Sequence, residues 1–169
     1  LERNPSKINL SDLSKNRPEG SFIEKILFIY SNAGSLWNTR YNHDPWKSID
    51  LISEGKDTAW FRQFSEIKLW RASLYKFTGI KHITNMYLSV LAPRNQVPWH
   101  TDLSNDVFAS TILTSIQTDN SFLEFENNKY VYKTGYSYLL RTYNKHRIMN
   151  LNNEPRITLC TTPKENPYV

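Results

Sequence analysis

The sequence contains almost no cysteine, and this scarcity excludes several classes of protein. Cys160 is the only cysteine among 169 residues, so the chain can form neither an internal disulfide framework nor a multi-cysteine zinc module. A single cysteine also fits a reducing compartment. Because Cys160 lies in a predicted strand with no neighbouring base, we expect a small buried side chain and not a nucleophile.

Long apolar runs and long basic runs are also missing. The longest apolar run, ILFIY at 26–30, is far too short to span a bilayer, and the polar first twenty residues lack the apolar segment of a secretory signal. We therefore predict a cytoplasmic protein with no membrane partner. The net charge of +5 is spread along the chain without a run of four basic residues, which does not indicate a nucleic-acid partner.

Internal repeats, low-complexity segments and Gly/Ser linkers are absent as well. We predict a single domain over 1–169, with a mainly helical flanking part at 1–80 and a jelly-roll core at 81–162. In the helical part, Ser21 and Glu24 form a predicted capping box for one helix, and apolar spacing predicts a second helix within 57–77. The segment between these helices is predicted to be loop; it is NTRYNHDPWKSIDLISEGKD, at 38–57.

After residue 80 the chain consists of short segments rich in β-branched and aromatic residues, separated by turn signals. The predicted strands lie at 82–91, 107–116, 121–127, 129–135, 136–141 and 156–162. Asn127-Asn128 and Thr134-Gly135 are predicted hairpin turns. This pattern favours a mostly β fold with flanking N-terminal helices, and we predict a double-stranded β-helix, the cupin-like jelly roll.

The segment QVPWHTDLSND, at 96–106, contains a histidine two positions before an aspartate. Alternate side chains of an extended chain share a face, so His100 and Asp102 can bind one common metal ion. His146 can supply a second imidazole from across the sheet. Two histidines and one carboxylate leave open positions on a metal, which is typical of non-haem Fe(II) oxygenases. Taken alone, a His-x-Asp pair is more often a surface or hydrogen-bonded pair.

Arg156 lies in PRITLC, where it and Thr158 alternate with apolar residues at 157 and 159. If the apolar side chains face a core, Arg156 and Thr158 face the barrel interior. A buried guanidinium needs an anion, and a dicarboxylate cosubstrate offers a carboxylate that arginine holds through two hydrogen bonds beside a hydroxyl donor. Without the other residues, an exposed charge at a strand edge explains Arg156 equally well.

Together these motifs resemble the aspartyl/asparaginyl β-hydroxylase branch of the Fe(II)- and 2-oxoglutarate-dependent dioxygenases, over about half of the chain. SVLAPRNQVPWHTD resembles the family's segment that leads to the first metal histidine, and KTGYSYLL resembles its glycine-containing turn. HRIMNLNNEPRITL resembles its second histidine followed ten residues later by the cosubstrate arginine. The resemblance implies that Fe(II) binds His100 and His146, with Asp102 completing the triad, and that Ser89 and Arg156 hold 2-oxoglutarate.

Two features depart from the pattern of some family members. Certain relatives lack the acidic ligand, whereas Asp102 is present here and disfavours a halogenase-like site, which needs that position for halide. An ungapped comparison also places Ala109 and Thr111 where some members carry basic residues. The candidates that could replace those basic residues are Asn85, Tyr87 and Arg94.

The resemblance implies hydroxylation of a C–H bond of a small amino acid or peptide substrate, with release of succinate and CO2. Two alternatives stay open: a divalent-metal cupin enzyme that does not use 2-oxoglutarate, and a non-enzymatic jelly-roll binding module. His43 and His82 are interpreted as hydrogen-bonding or surface residues. The candidate substrate contacts are Trp99, Arg141, Asn144 and the loop around Trp46.

Overall fold

A computed structural model of the chain describes residues 22–32, 38–39, 45–102 and 111–164. Its helices are α1 (Phe22–Asn32) and α2 (Ser65–Thr78), with a 3-10 turn at Phe61–Gln63. The strands are β1 (Asn38–Thr39), β2 (Trp46–Ser53), β3 (Lys56–Asp57), β4 (Ile83–Leu91), β5 (Gln96–His100), β6 (Thr111–Gln117), β7 (Ser121–Phe125), β8 (Lys129–Tyr130), β9 (Ser137–Leu140), β10 (His146–Asn150) and β11 (Arg156–Pro163).

These strands form two antiparallel sheets. The larger sheet has the order β1-β2-β4-β11-β6-β9, with β3 paired to β2, and the smaller sheet has the order β5-β10-β7-β8. From β4 to β11 the chain passes repeatedly from one sheet to the other, so most neighbours in a sheet are distant in sequence; β7 and β8 are consecutive. This is the double-stranded β-helix, or jelly roll. The predicted fold class is therefore confirmed.

Two hydrophobic layers flank the larger sheet. The outer layer packs α1, α2 and the 3-10 turn against the sheet, and it contains Ile157 and Leu159 of β11. The inner layer lies between the two sheets. Because side chains alternate along a strand, Arg156 and Thr158 point away from Ile157 and Leu159, as predicted. Both residues are buried, so β11 is covered on both faces.

The prediction of a loop at 38–57 is wrong. Strand β2 occupies Trp46–Ser53 and pairs with β4, and the two-residue strands β1 and β3 pair with β2. The register of β2 shifts between Asp50 and Ile52, so that Leu51 and Ile52 are both buried. This irregularity removes the period-2 alternation that identifies a strand in sequence.

The turn predictions are partly correct. Strands β7 and β8 form the expected hairpin, but Phe125 and Asn128 bond each other's backbone, which centres the turn one residue earlier than predicted. The turn predicted at Thr134-Gly135 is present, and Gly135 has a φ of 87° in it. That turn joins no hairpin, because β8 pairs with β7 whereas β9 pairs with β6.

Some predictions are not tested by the described residues. Ser21 of the capping box and residues 107–110 of a predicted strand lie outside them. The single domain over 1–169 stays a prediction.

The predicted second helix is present as α2, within residues 65–78. Within the described ranges, no helix has the length and apolar character needed to cross a membrane.

Asn150, at the end of β10, is the clearest polar anchor of this fold. Its buried amide nitrogen lies 3.3, 3.1 and 3.0 Å from the carbonyl oxygens of Leu91, Ala92 and Glu154, and its Oδ1 accepts from the Asn152 backbone at 3.1 Å. The amide therefore ties β10 to the end of β4 and to the turn that leads into β11.

We predict that Asn150→Leu destabilises the protein by about 2 to 4 kcal/mol, because a similar-sized apolar side chain removes the amide's hydrogen bonds to these carbonyls and to the Asn152 backbone. Urea unfolding followed by tryptophan fluorescence measures the change. The matched control is Asn153→Ala, which removes one exposed contact to Arg94 and is expected to cost less than about 0.5 kcal/mol. Equal stabilities for the two variants would contradict the anchoring role.

Candidate metal centre

The pairing of β5 with β10 brings the two predicted histidines together. His100 ends β5 and His146 begins β10, and the two residues are register partners. Neither strand was among those predicted. In β5 the sequence is interrupted by Pro98, which the structure tolerates because β5 is at the edge of the smaller sheet. Asp102 follows β5, and its backbone nitrogen donates to the carbonyl oxygen of Thr142 at 3.0 Å.

The three side chains converge on one point. Nε2 of His100 lies 3.6 Å from Oδ1 of Asp102, and Nε2 of His146 lies 4.0 Å from Oδ2. One ligand atom from each residue can be chosen so that all three lie within 4.8 Å of one another. That spacing suits three ligands of a single ion with bonds of about 2.0 to 2.2 Å. The predicted metal residues are thus brought together as a cluster.

Backbone carbonyls orient both imidazole rings. Nδ1 of His100 lies 2.7 Å from the carbonyl oxygen of Pro98, and Nδ1 of His146 lies 2.7 Å from that of Asn144. A carbonyl only accepts hydrogen bonds, so each Nδ1 carries the proton and each Nε2 presents its lone pair when the ring is neutral. This is the arrangement that outer hydrogen bonds impose on metal-binding histidines.

Electrostatics favour the protonation states that a metal needs. Burial lowers the pKa of His146, which favours the neutral imidazole. Burial pushes the pKa of Asp102 upward, but a hydrogen bond from His100, the positive charge that either histidine carries when protonated, and the hydroxyl of Thr142 together hold it below its ordinary value. A bound metal ion would replace the imidazole protons as the positive charge beside the Asp102 carboxylate.

The centre opens into a cavity of about 30 Å³ between the sheets. Ser89, Arg156 and Thr158 from the larger sheet line it together with the triad. Oγ of Ser89 accepts a hydrogen bond from Nε1 of Trp46 at 2.7 Å, so its own proton is available to a ligand. A dicarboxylate is several times larger than this cavity, so its binding requires the lining side chains to move apart.

Arg156 carries unused hydrogen-bonding capacity in this cavity. Its side chain is 2% exposed, and its Nε and Nη2 are buried without a hydrogen-bond partner among the described residues. Burial lowers its pKa, while Cys160, Tyr132 and Tyr87 oppose that effect; none of these is a carboxylate. Since a buried guanidinium normally has an anionic partner, the donor set fits a carboxylate ligand.

The residues suggested as replacements for the missing basic side chains differ in whether they line the cavity. Tyr87 lines the cavity, whereas Arg94 donates to Asn153 on the surface and Asn85 accepts from the backbone of Glu54. Thr111 lines the cavity and lies 3.0 Å from the Thr142 hydroxyl. Ala109 and His43 lie outside the described residues.

His82, Cys160 and Trp99 are not ligands of the triad. His82 is exposed and lines a separate groove, as a surface residue. Cys160 is buried, and burial raises the pKa of its thiol, in agreement with an inert side chain. Trp99 is 39% exposed beneath the guanidinium of Arg147. The sequence offered no signal for Thr142.

Comparisons with known proteins agree with this architecture. The sequence model described as aspartyl/asparaginyl beta-hydroxylase matches residues 25–164. A search of curated proteins finds no significant match. Among solved structures, an HTH_3-family transcriptional regulator from Vibrio cholerae has a TM-score of 0.50 at 11% identity, over 87% of this chain and 66% of that one. A cupin domain from Bordetella pertussis has a TM-score of 0.41 at 14% identity, over 50% and 85%.

We predict that His146→Ala weakens binding of a divalent metal at least about tenfold, because it removes one of three ligands. Anaerobic titration with Fe(II), or calorimetric titration with Mn(II), measures the affinity. His82→Ala is the matched control, since it removes an exposed histidine from a different groove. The triad assignment is wrong if the two variants bind metal equally well.

Proposed function

Because the chain belongs to the aspartyl/asparaginyl β-hydroxylase family, we propose that it is an Fe(II)- and 2-oxoglutarate-dependent dioxygenase. Its substrate is a small amino acid or a peptidyl residue, of which it hydroxylates one C–H bond. The family match and the His-Asp-His cluster support a metal enzyme. The further assignment to 2-oxoglutarate chemistry is supported chiefly by one observation: Nε and Nη2 of the buried Arg156 have no hydrogen-bond partner among the described residues and lie in the same cavity.

In this proposal His100, Asp102 and His146 hold Fe(II), and Arg156 holds the distal carboxylate of 2-oxoglutarate with Ser89 and Thr158 as neighbouring hydroxyl donors. Iron and 2-oxoglutarate together supply the oxidising chemistry when bound, with succinate and CO2 as products. The hydrogen bonds to the carbonyls of residues 98 and 144 keep each Nε2 directed at the metal.

The walls of the cavity exclude water from the reacting groups. Four of its lining side chains are buried and aliphatic: Leu113, Leu123, Leu140 and Ile148. A dry, low-dielectric wall strengthens the interaction of Arg156 with a carboxylate. It also limits side reactions at the metal.

An open groove of about 620 Å³ borders the centre and is the proposed path for substrate. Phe125 lines it, and the Phe125 ring lies 5.5 Å from that of His146. Leu140 is shared by the groove and the cavity. Arg141 and Asn144, two predicted substrate contacts, line the groove as well. Trp99 does not.

The two alternatives explain less of the site. A metal cupin that does not use 2-oxoglutarate has no need for a buried guanidinium in the metal cavity. A non-enzymatic binding module needs neither the convergent triad nor the carbonyl contacts that orient its rings.

We predict that Arg156→Ala weakens 2-oxoglutarate binding about 10 to 150-fold and leaves metal affinity nearly unchanged, because it removes a charge-assisted contact worth about 1.5 to 3 kcal/mol. Calorimetry on the Mn(II)-loaded protein without oxygen measures both affinities. Arg94→Ala is the control, since Arg94 lies on the surface and contacts Asn153. An unchanged 2-oxoglutarate affinity in Arg156→Ala would favour the metal-cupin alternative.

Turnover tests the proposal as a whole. We predict that the Fe(II)-loaded protein, given oxygen and 2-oxoglutarate, releases succinate faster when its substrate is present in a panel of amino acids and peptides. Mass spectrometry detects succinate together with a product 16 mass units heavier, as one added oxygen atom requires. The Arg156→Ala protein serves as the blank. If no member of a broad panel changes succinate release or gains oxygen, the proposed reaction is contradicted.

A further inference from the structure

Trp46 is the one residue before β4, among those that the structure describes, that lines the metal cavity. Its side chain is 5% exposed and packs in the inner hydrophobic layer. The sequence suggested a substrate contact from a loop around Trp46, but the residue begins strand β2. The N-terminal part of the chain therefore supplies one wall of a cavity whose other lining residues all belong to 87–160.

Trp46 and Ser89 are diagonal neighbours on the paired strands β2 and β4. Ser48 is the register partner of Ser89, and Trp46 is the partner of Leu91, so Trp46 and Ser89 lie on the same face, within reach of a long side chain. Nε1 of Trp46 lies 2.7 Å from Oγ of Ser89. An indole N–H only donates hydrogen bonds. The Ser89 hydroxyl is therefore the acceptor, and its own proton points away from the indole.

The oriented hydroxyl lies beside the cosubstrate arginine. Ser89 is the register partner of Thr158, which lies two residues from Arg156 on β11. Ser89 and Arg156 both line the cavity, and Nε and Nη2 of Arg156 lack a hydrogen-bond partner among the described residues. A hydroxyl can otherwise accept as well as donate, whereas an ionised carboxylate only accepts. The bond from the indole thus gives Ser89 the role of donor that a carboxylate needs.

The indole also contacts the first metal histidine. The ring centroids of Trp46 and His100 lie 5.4 Å apart, and the ring planes are tilted by 51°. Nδ1 of His100 contacts the carbonyl oxygen of Pro98 at 2.7 Å. The carbonyl holds one edge of the imidazole while the indole packs against it. One side chain therefore touches both a proposed metal ligand and a proposed cosubstrate donor.

We propose that Trp46 is a positioning residue for 2-oxoglutarate, because its indole N–H fixes the Ser89 hydroxyl as a donor to the distal carboxylate. This inference rests on the proposed function. It adds a residue that acts through Ser89 and not through the reacting atoms. It also gives the N-terminal part of the chain a role in the active site, beyond flanking the jelly-roll core.

Anaerobic calorimetry on the Mn(II)-loaded full chain compares 2-oxoglutarate with 2-oxobutyrate, which lacks the distal carboxylate. Trp46→Phe keeps an aromatic ring beside His100 and removes the indole N–H. We expect it to weaken 2-oxoglutarate binding about three- to tenfold and to leave the affinities for 2-oxobutyrate and Mn(II) unchanged. Trp60→Phe is the matched control, because Trp60 is 2% exposed and lies in the outer hydrophobic layer. Its affinities should match those of the parent.

A double-mutant cycle separates the positioning of Ser89 from a general loss of packing. Once Ser89→Ala has removed the hydroxyl, the indole N–H has nothing left to orient. We therefore expect Trp46→Phe to cause no further loss of 2-oxoglutarate affinity in the Ser89→Ala protein.

The hydrogen bond can also be measured without replacing Trp46, which keeps the inference testable if Trp46→Phe does not fold. The chain has five tryptophans, and each gives one indole N–H resonance in a proton–nitrogen NMR spectrum. We expect Ser89→Ala to shift one of these resonances and to speed its hydrogen exchange. If no indole resonance responds, the inference is overturned.

The calorimetric outcomes overturn different statements. Equal 2-oxoglutarate affinities in the parent and Trp46→Phe overturn the role of Trp46 and leave the proposed function intact. Equal weakening of both oxoacids, or an undiminished effect of Trp46→Phe in the Ser89→Ala protein, assigns the indole a packing role and also overturns the inference. Failure of the parent to bind 2-oxoglutarate overturns the inference and the proposed function together.

Discussion

The metal centre depends on the register between β10 and β5. Pairing of His146 with His100 places two imidazoles opposite each other across neighbouring strands, and Asp102 reaches the same point because it follows directly on β5. A slip of one residue would turn one of the histidines to the other face of the sheet. Strand β10 lies between β5 and β7, and Asn150 ties its far end to carbonyls of two other segments.

The second constraint is the donor-rich interior that the larger sheet presents to this centre. Ile157 and Leu159 hold β11 against the helical layer, and the alternation of side chains therefore directs Arg156 and Thr158 into the space between the sheets. Burying a guanidinium without an anion is costly. The proposed cosubstrate would supply a carboxylate to Nε and Nη2 of Arg156, next to the triad.

Local sequence patterns predicted some parts of this molecule well. The alternation around Arg156 and the His-x-Asp spacing rest on short-range geometry, and both led to the correct faces. Strand β2 was missed because its bulge buries Leu51 and Ile52 together, and β5 because Pro98 resembles a strand breaker. Thr142 reaches the site only through the crossing of chain segments between sheets, which no local period encodes.

The most direct test of the account is a crystal structure of the Mn(II)-loaded protein with 2-oxoglutarate, prepared without oxygen. The account predicts one metal bound by Nε2 of both histidines and by a carboxylate oxygen of Asp102, at about 2.0 to 2.2 Å. It also predicts that the distal carboxylate of 2-oxoglutarate lies on Arg156. A metal bound elsewhere, or a dicarboxylate that does not contact Arg156, would contradict it.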